Sequence, residues 1–176
     1  MNDLIRNYYL GERATALLAM SLGMLLLVGS LILFRLAPRV SVQWGIAYVF
    51  VVGGLFFALS GGGYGYVVQQ RMIAHDIKAH AGSETREAEI VRVEGLLQSS
   101  YRGALRTFTA LICAGLLVAC FSKGLSVRQG IVMGLIVFGS VGHTTEAISM
   151  HKNRDYLKRV RDYLPIESKA SAVPHH

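Results

Sequence analysis

Charge is scarce in this chain. Only 16% of its 176 residues are Asp, Glu, Lys or Arg, whereas 52% are hydrophobic, a balance outside the range of ordinary soluble domains. Cysteine is nearly absent as well. Cys113 and Cys120 lie seven residues apart, about 10 Å along a helix, too far for a disulfide between them, and they read as small buried apolar residues. Catalytic signatures are missing: the sequence contains no His-Glu-x-x-His, Gly-x-Ser-x-Gly, P-loop or Cys-x-x-Cys, so no hydrolase, NTPase or redox chemistry is expected. Nothing in the sequence calls for a cofactor, and none is expected.

The few charges that are present are segregated. Uncharged runs extend from Ala14 to Phe34, Val40 to Gln70, Thr107 to Ser122 and Gln129 to Thr145, each long enough, or nearly so, to cross a hydrocarbon layer of about 30 Å. The expected fold is an all-α integral membrane protein in one domain with four transmembrane helices, at 14–34, 45–68, 105–122 and 127–147. Arg106, Lys123 and Arg128 flank the two shortest runs and are expected to extend their charged heads to the interfaces. Ala14–Phe34 exceeds the apolar core of a signal peptide and lacks a clean cleavage site, so it reads as a retained anchor.

Of the 18 Lys and Arg residues, 14 fall in the N-terminal tail, the second loop and the C-terminal tail. The positive-inside rule places those three segments in the cytoplasm, both termini included, and the expected location is the cell membrane, specifically a bacterial inner membrane. The same juxtamembrane cations account for the net charge of +7 beside anionic headgroups. No nucleic-acid motif is present, and nucleic acid is not an expected partner.

The cytoplasmic segments carry helical periodicity. Tyr66, Gln70, Ile73, Ile77 and His80 recur at steps of 4 and 3, as do Ile90, Val93, Leu97, Tyr101 and Leu105 after the break at "AGS". Helices 2 and 3 are therefore predicted to continue into the cytoplasm as a hairpin over 69–104, turning near Gly82 with Ser83 as N-cap. Ile136, Gly139, His143, Glu146, Met150, Asn153, Leu157, Val160 and Leu164 form a longer seam of alternating 3 and 4 steps. It predicts a cytoplasmic C-terminal helix over 148–164, ending before Pro165, with Asn153 inside. Residues 170–176 read as a tail, and His175 and His176 as a tag remnant excluded from metal arguments.

Three groups of residues invite a functional reading. The stretch "ALSGGGYGYVVQQRM" includes Gly-Tyr-Gly, as potassium filters do, but it closes a continuous apolar run with no room for a pore helix. Gly54, Gly61, Gly62, Gly63 and Gly65 read instead as close-packing positions, a gating kink being the weaker alternative, with Tyr64 and Tyr66 as interfacial anchors. His143 and Glu146, with His151 two turns beyond His143, are a candidate ion, proton or polar site, since ionisable groups at membrane depth are site hypotheses by default. Their bland alternative is hydrogen bonding within the bundle. His75, Asp76, His80, Glu84 and Glu87 are weak metal candidates at the hairpin tip, where a solvated ion-pair network is the commoner outcome.

These readings point to a small membrane protein that self-associates without catalysis. It is expected to act as a homo-oligomer in the lipid bilayer, docking a cytoplasmic or membrane protein partner through its helices. The alternative is an oligomeric small transporter or ion channel with its polar site at His143 and Glu146.

Overall fold

The computed structural model describes residues 2–77, 82–121, 124 and 126–162. The secondary structure of these residues is helical. Helix α1 spans Asn2–Leu36, α2 Val42–Ile77, α3 Gly82–Gly95, α4 Tyr101–Phe121 and α5 Val127–Asp162. A π-helical turn, Leu96–Ser100, joins α3 to α4 without a break. Four helical stretches are long and apolar enough to cross a membrane: Asp3–Leu36, Val42–Ala74, Arg86–Phe121 and Val127–Asp162. Helices of 35 and 36 residues measure about 53 Å, well beyond a hydrocarbon layer of about 30 Å. Their surplus lies mainly at the end that carries Asn2 and Asp162, and the helical portion beyond the uncharged runs there is termed the head.

The helices form a row. α1 packs along α2, α2 along α5, and α5 along α4. Close approach is made possible by glycine. A Cβ built on Gly61 would lie 2.6 Å from the Met20 amide nitrogen and 2.8 Å from the Ala16 carbonyl oxygen, and one on Gly54 would lie 2.9 Å from the Gly23 carbonyl oxygen. Where α2 meets α5, Gly45 and Gly130 again bring backbones together, a Cβ on Gly130 falling against the Val42 carbonyl oxygen, and elsewhere along α2–α5 and α5–α4 some glycines receive an aromatic ring. Phe138 sits on Gly53 and Phe108 on Gly142, and Phe56, Phe57, Phe108 and Phe138 meet edge to face with centroids 5.3 to 6.4 Å apart. In lipid there is no hydrophobic gain from joining two apolar faces, so this interlocking of shapes is what holds the spans together.

The connections at the opposite end are short. Trp44 donates from Nε1 to the Ala37 carbonyl at 3.0 Å and meets Phe34 and Tyr48 in an aromatic cluster, a placement that suits an interfacial ring. Gly124 has φ of 79°, a left-handed value that a side chain would disfavour, and it turns the chain between α4 and α5.

Several sequence expectations change. α1 extends ahead of the expected span, starting at Asn2, and its Leu4, Ile5, Tyr8 and Tyr9 pack in or against the core of the head. On α2 the residues Tyr66, Gln70 and Ile73 are exposed and Val68 is fully buried, so the inward face is rotated from the one expected. Cys113 and Cys120 are exposed on α4, because α5 covers the opposite side of that helix. By contrast, Gly-Tyr-Gly lies inside the unbroken α2, in no re-entrant loop, in keeping with its place in a continuous apolar run. α3 starts at Gly82, making Ser83 its second residue.

Candidate functional site

The head is built from four helices that converge on a small core. Ile5 and Tyr9 come from α1, Val68 from α2, Val93 from α3, and Tyr156, Leu157 and Val160 from α5. Each faces inward because its neighbours at steps of three and four do so on the same helix. Ile5, Val68 and Val160 are essentially inaccessible to solvent. Set into this apolar core are two polar hubs.

The first hub is Glu89. Its Oε1 accepts from Tyr156 Oη at 2.9 Å and Arg92 Nη2 at 2.6 Å, and its Oε2 accepts from Tyr9 Oη at 3.2 Å and Arg92 Nε at 2.8 Å. Four donors occupy the approximately four lone-pair positions of a carboxylate. Glu89 therefore has no acceptor capacity left for substrate or metal. Arg92 in turn lies 5.6 Å from the Tyr8 ring centroid and 5.4 Å from that of Tyr9, where the π faces favour a cation. Burial works to raise the Glu89 carboxyl, but the hydrogen bonds and charge of Arg92, joined by the hydroxyls of Tyr156 and Tyr9, outweigh it and hold Glu89 below the ordinary carboxylate range. Burial together with the Glu89 charge pushes the Tyr9 hydroxyl up to about 12.

The second hub is Asn153, which is fully buried. Its Oδ1 accepts from Tyr8 Oη at 2.6 Å, and its Nδ2 donates to Tyr101 Oη at 2.7 Å and to the Ser149 carbonyl at 3.0 Å. One amide thus ties α1 and α4 to α5. A third link, from Tyr64 Oη to Glu12, joins α2 to α1. Tyr64, expected as an interfacial anchor, is half-buried.

The residues singled out from sequence are not gathered into one place. His143 and Glu146 are half-buried on α5, and among the described residues no hydrogen bond joins them. His151 is exposed and faces Asp155, with Nε2 3.5 Å from Oδ2. Glu87 is exposed. The side chains of His75, Asp76 and Glu84 and all of His80 lie outside the described residues, and among the described residues no three His, Cys, Asp or Glu side chains are grouped to hold a metal ion. Of the glycines, Gly54 and Gly61 abut α1, Gly62 and Gly65 make ordinary contacts with Met20 and Ala16, and Gly63 has open space around it.

Sequence reading found Asn153 but passed over Tyr8, Tyr9, Glu12, Glu89, Arg92 and Tyr156. Glu89 and Arg92 are three apart, the spacing of a helical ion pair, and Tyr8, Tyr9 and Glu12 form a polar stripe just ahead of the first apolar run. Those two patterns were the available signals. Chemically, Glu89 and Asn153 spend their hydrogen-bonding groups on fixing helix positions, while Arg92 Nη1 is buried without a hydrogen-bond partner among the described residues. No family model, no curated protein and no solved structure matches this chain.

Proposed function

We propose that this chain is a self-associating, non-catalytic membrane protein that serves as a scaffold or docking partner through its helices. The basic head would lie in the cytoplasm of a bacterial cell, as the distribution of Lys and Arg requires under the positive-inside rule. The observation that carries the reading is the outward side of the α3–α4 helix. Gly95, Ser99, Gly103, Thr107, Ala110 and Ala114 are all exposed there, and a Cβ at Gly95 or Gly103 would meet nothing within 4 Å. Most other glycines within the spans already touch a neighbouring helix. The outward side of α1 is different in kind, with Leu17, Leu18, Met24, Leu25, Leu31 and Ile32 exposed, as suits lipid chains. Thr107, Ala110 and Ala114 lie in the uncharged run and Gly95, Ser99 and Gly103 continue the face into the head; a small-residue face within a span favours another helix, because backbones can approach closely across it.

The transport alternative has less support. Phe56, Phe57, Phe108 and Phe138 fill the middle of the row, so a pathway would have to run between copies.

Cross-linking tests the proposal. In a background with Cys113→Ser and Cys120→Ser, Thr107→Cys should give a disulfide-linked dimer in membranes, and adding Gly103→Leu should abolish it. Monomer throughout would reject self-association by this face. A proton flux into proteoliposomes that His143→Gln removes would favour the transport alternative.

A further inference from the structure

We propose that α3 is a strap, hinged at the π turn, that opens and closes over the head while the membrane spans stay in place.

Three independent features of the closed position lead there. First, part of the fastening of α3 is polar and lies at its surface. Arg86 donates from Nε to the Val160 carbonyl at 3.1 Å and from Nη2 to the Arg161 carbonyl, satisfying carbonyls that the last turn of α5 leaves without helical partners. Arg161 returns an ion pair to Glu94. On opening, water replaces each of these bonds.

Second, among the described residues the charged pair set inside the head, Glu89 with Arg92, belongs wholly to α3. Glu89 and Arg92 are bound to each other within the same helix, so they leave the core together, each still neutralising the other. For this pair, opening breaks the hydroxyl bonds from Tyr9 and Tyr156 to Glu89 and the contacts of Arg92 with the Tyr8 and Tyr9 rings. Had Arg92 been on α5, release would strand a buried charge, which is far more costly.

Third, the base of α3 is built to bend. The π turn has no buried residue, and π turns interrupt the regular hydrogen-bond ladder. Val93 is the sole α3 side chain of an apolar residue that is fully buried among the described ones, whereas Val91 is exposed. An element with few buried apolar contacts and exposed hydrogen bonds belongs to the low-stability end of a fold. Opening would uncover Tyr9, Val68, Tyr156 and Val160.

Hydrogen exchange on the full chain in lipid nanodiscs decides the matter. Amides of 86–94 should exchange at least about tenfold faster than those of 153–160, the signature of a subglobal opening. Arg86→Ala should speed 86–94 further and leave 108–115 unchanged. Deleting Gln98, which removes the extra residue of the π turn, should rotate α3 by about 100°, release it and leave 108–115 unchanged. Spin labels at Glu87 and Asp155, both exposed, should report two distance populations in the unmodified head. Exchange of 86–94 in step with 153–160, or a single narrow distance that Arg86→Ala does not broaden, would overturn the strap.

Discussion

Tyr8 and Tyr156 lie face to face, with ring centroids 3.7 Å apart and planes 10° from parallel. The first and last helices meet in this pair, and each ring also spends its hydroxyl on a different hub: Tyr8 on Asn153 and Tyr156 on Glu89. Substitutions at Tyr156 separate the two contributions. Tyr156→Phe keeps the stack and loses a hydrogen bond to a charged group, at a cost of about 1.5 to 3 kcal/mol. Tyr156→Ala loses the ring as well and should cost about 3 to 5 kcal/mol. Denaturant or SDS titration of the purified protein measures both, and equal losses would show that the ring contributes nothing.

The Glu89 knot makes stability depend on pH in one direction. Because Glu89 in the folded state is held below its ordinary value of 4.5, the folded protein keeps the carboxylate ionised where the unfolded chain begins to bind a proton. Its contribution is complete above the unfolded value and is lost as pH falls through the folded one. Thermal midpoints should therefore decline on acidification below about pH 4.5. Glu89→Gln should flatten that decline and lower stability at neutral pH by roughly 3 kcal/mol, since Arg92 is left without its counter-ion. A variant with the same acid limb as the original would place the titrating group elsewhere.

Two glycines of the "SGGGYG" stretch, Gly61 and Gly63, should part company. A side chain at Gly61 meets the α1 backbone at Met20 and Ala16, while one at Gly63 has open space. Gly61→Leu is expected to drive α1 from α2, with a loss of several degrees or more in detergent thermal denaturation, and Gly63→Leu to leave the midpoint within about a degree, in the range of surface substitutions. Loss at Gly63 in the membrane but not in detergent would mean that another molecule covers that position.

Topology follows from the charge distribution. Single cysteines at Glu87 and at Val40, in a background without Cys113 and Cys120, report opposite ends of the row. Val40→Cys should react with a membrane-impermeant thiol reagent in intact cells, and Glu87→Cys only after lysis. Labelling of Glu87→Cys from outside would reverse the orientation.

Legibility in the sequence differed by the kind of physics involved. The spans were readable because a charge is costly in hydrocarbon wherever it faces, so the runs beginning at Ala14 and Val40 stand out with no knowledge of neighbours. Asn153 was readable on its seam, and so was the π turn in principle. The steps Val93, Leu97, Tyr101 and Leu105 are three fours in succession, which a regular helix of 3.6 residues per turn cannot hold on one face. The extra residue at Leu96–Ser100 absorbs the drift.

What the tertiary structure alone decided was which apolar side of each helix faces protein. In lipid both sides are apolar, so periodicity loses the contrast that marks a core in water. For that reason Val68 was indistinguishable from Tyr66, and the exposed Cys113 resembled a buried residue. The hubs depended on distance along the chain: Tyr8 finds Asn153 across 145 positions and Tyr9 finds Glu89 across 80. Composition and local spacing determined that four helices are long and apolar enough to cross a membrane. Only their packing decided that α1, α3 and α5 close around one saturated carboxylate, because hydrogen bonds between distant residues exist only once the backbone has brought them within about 3 Å.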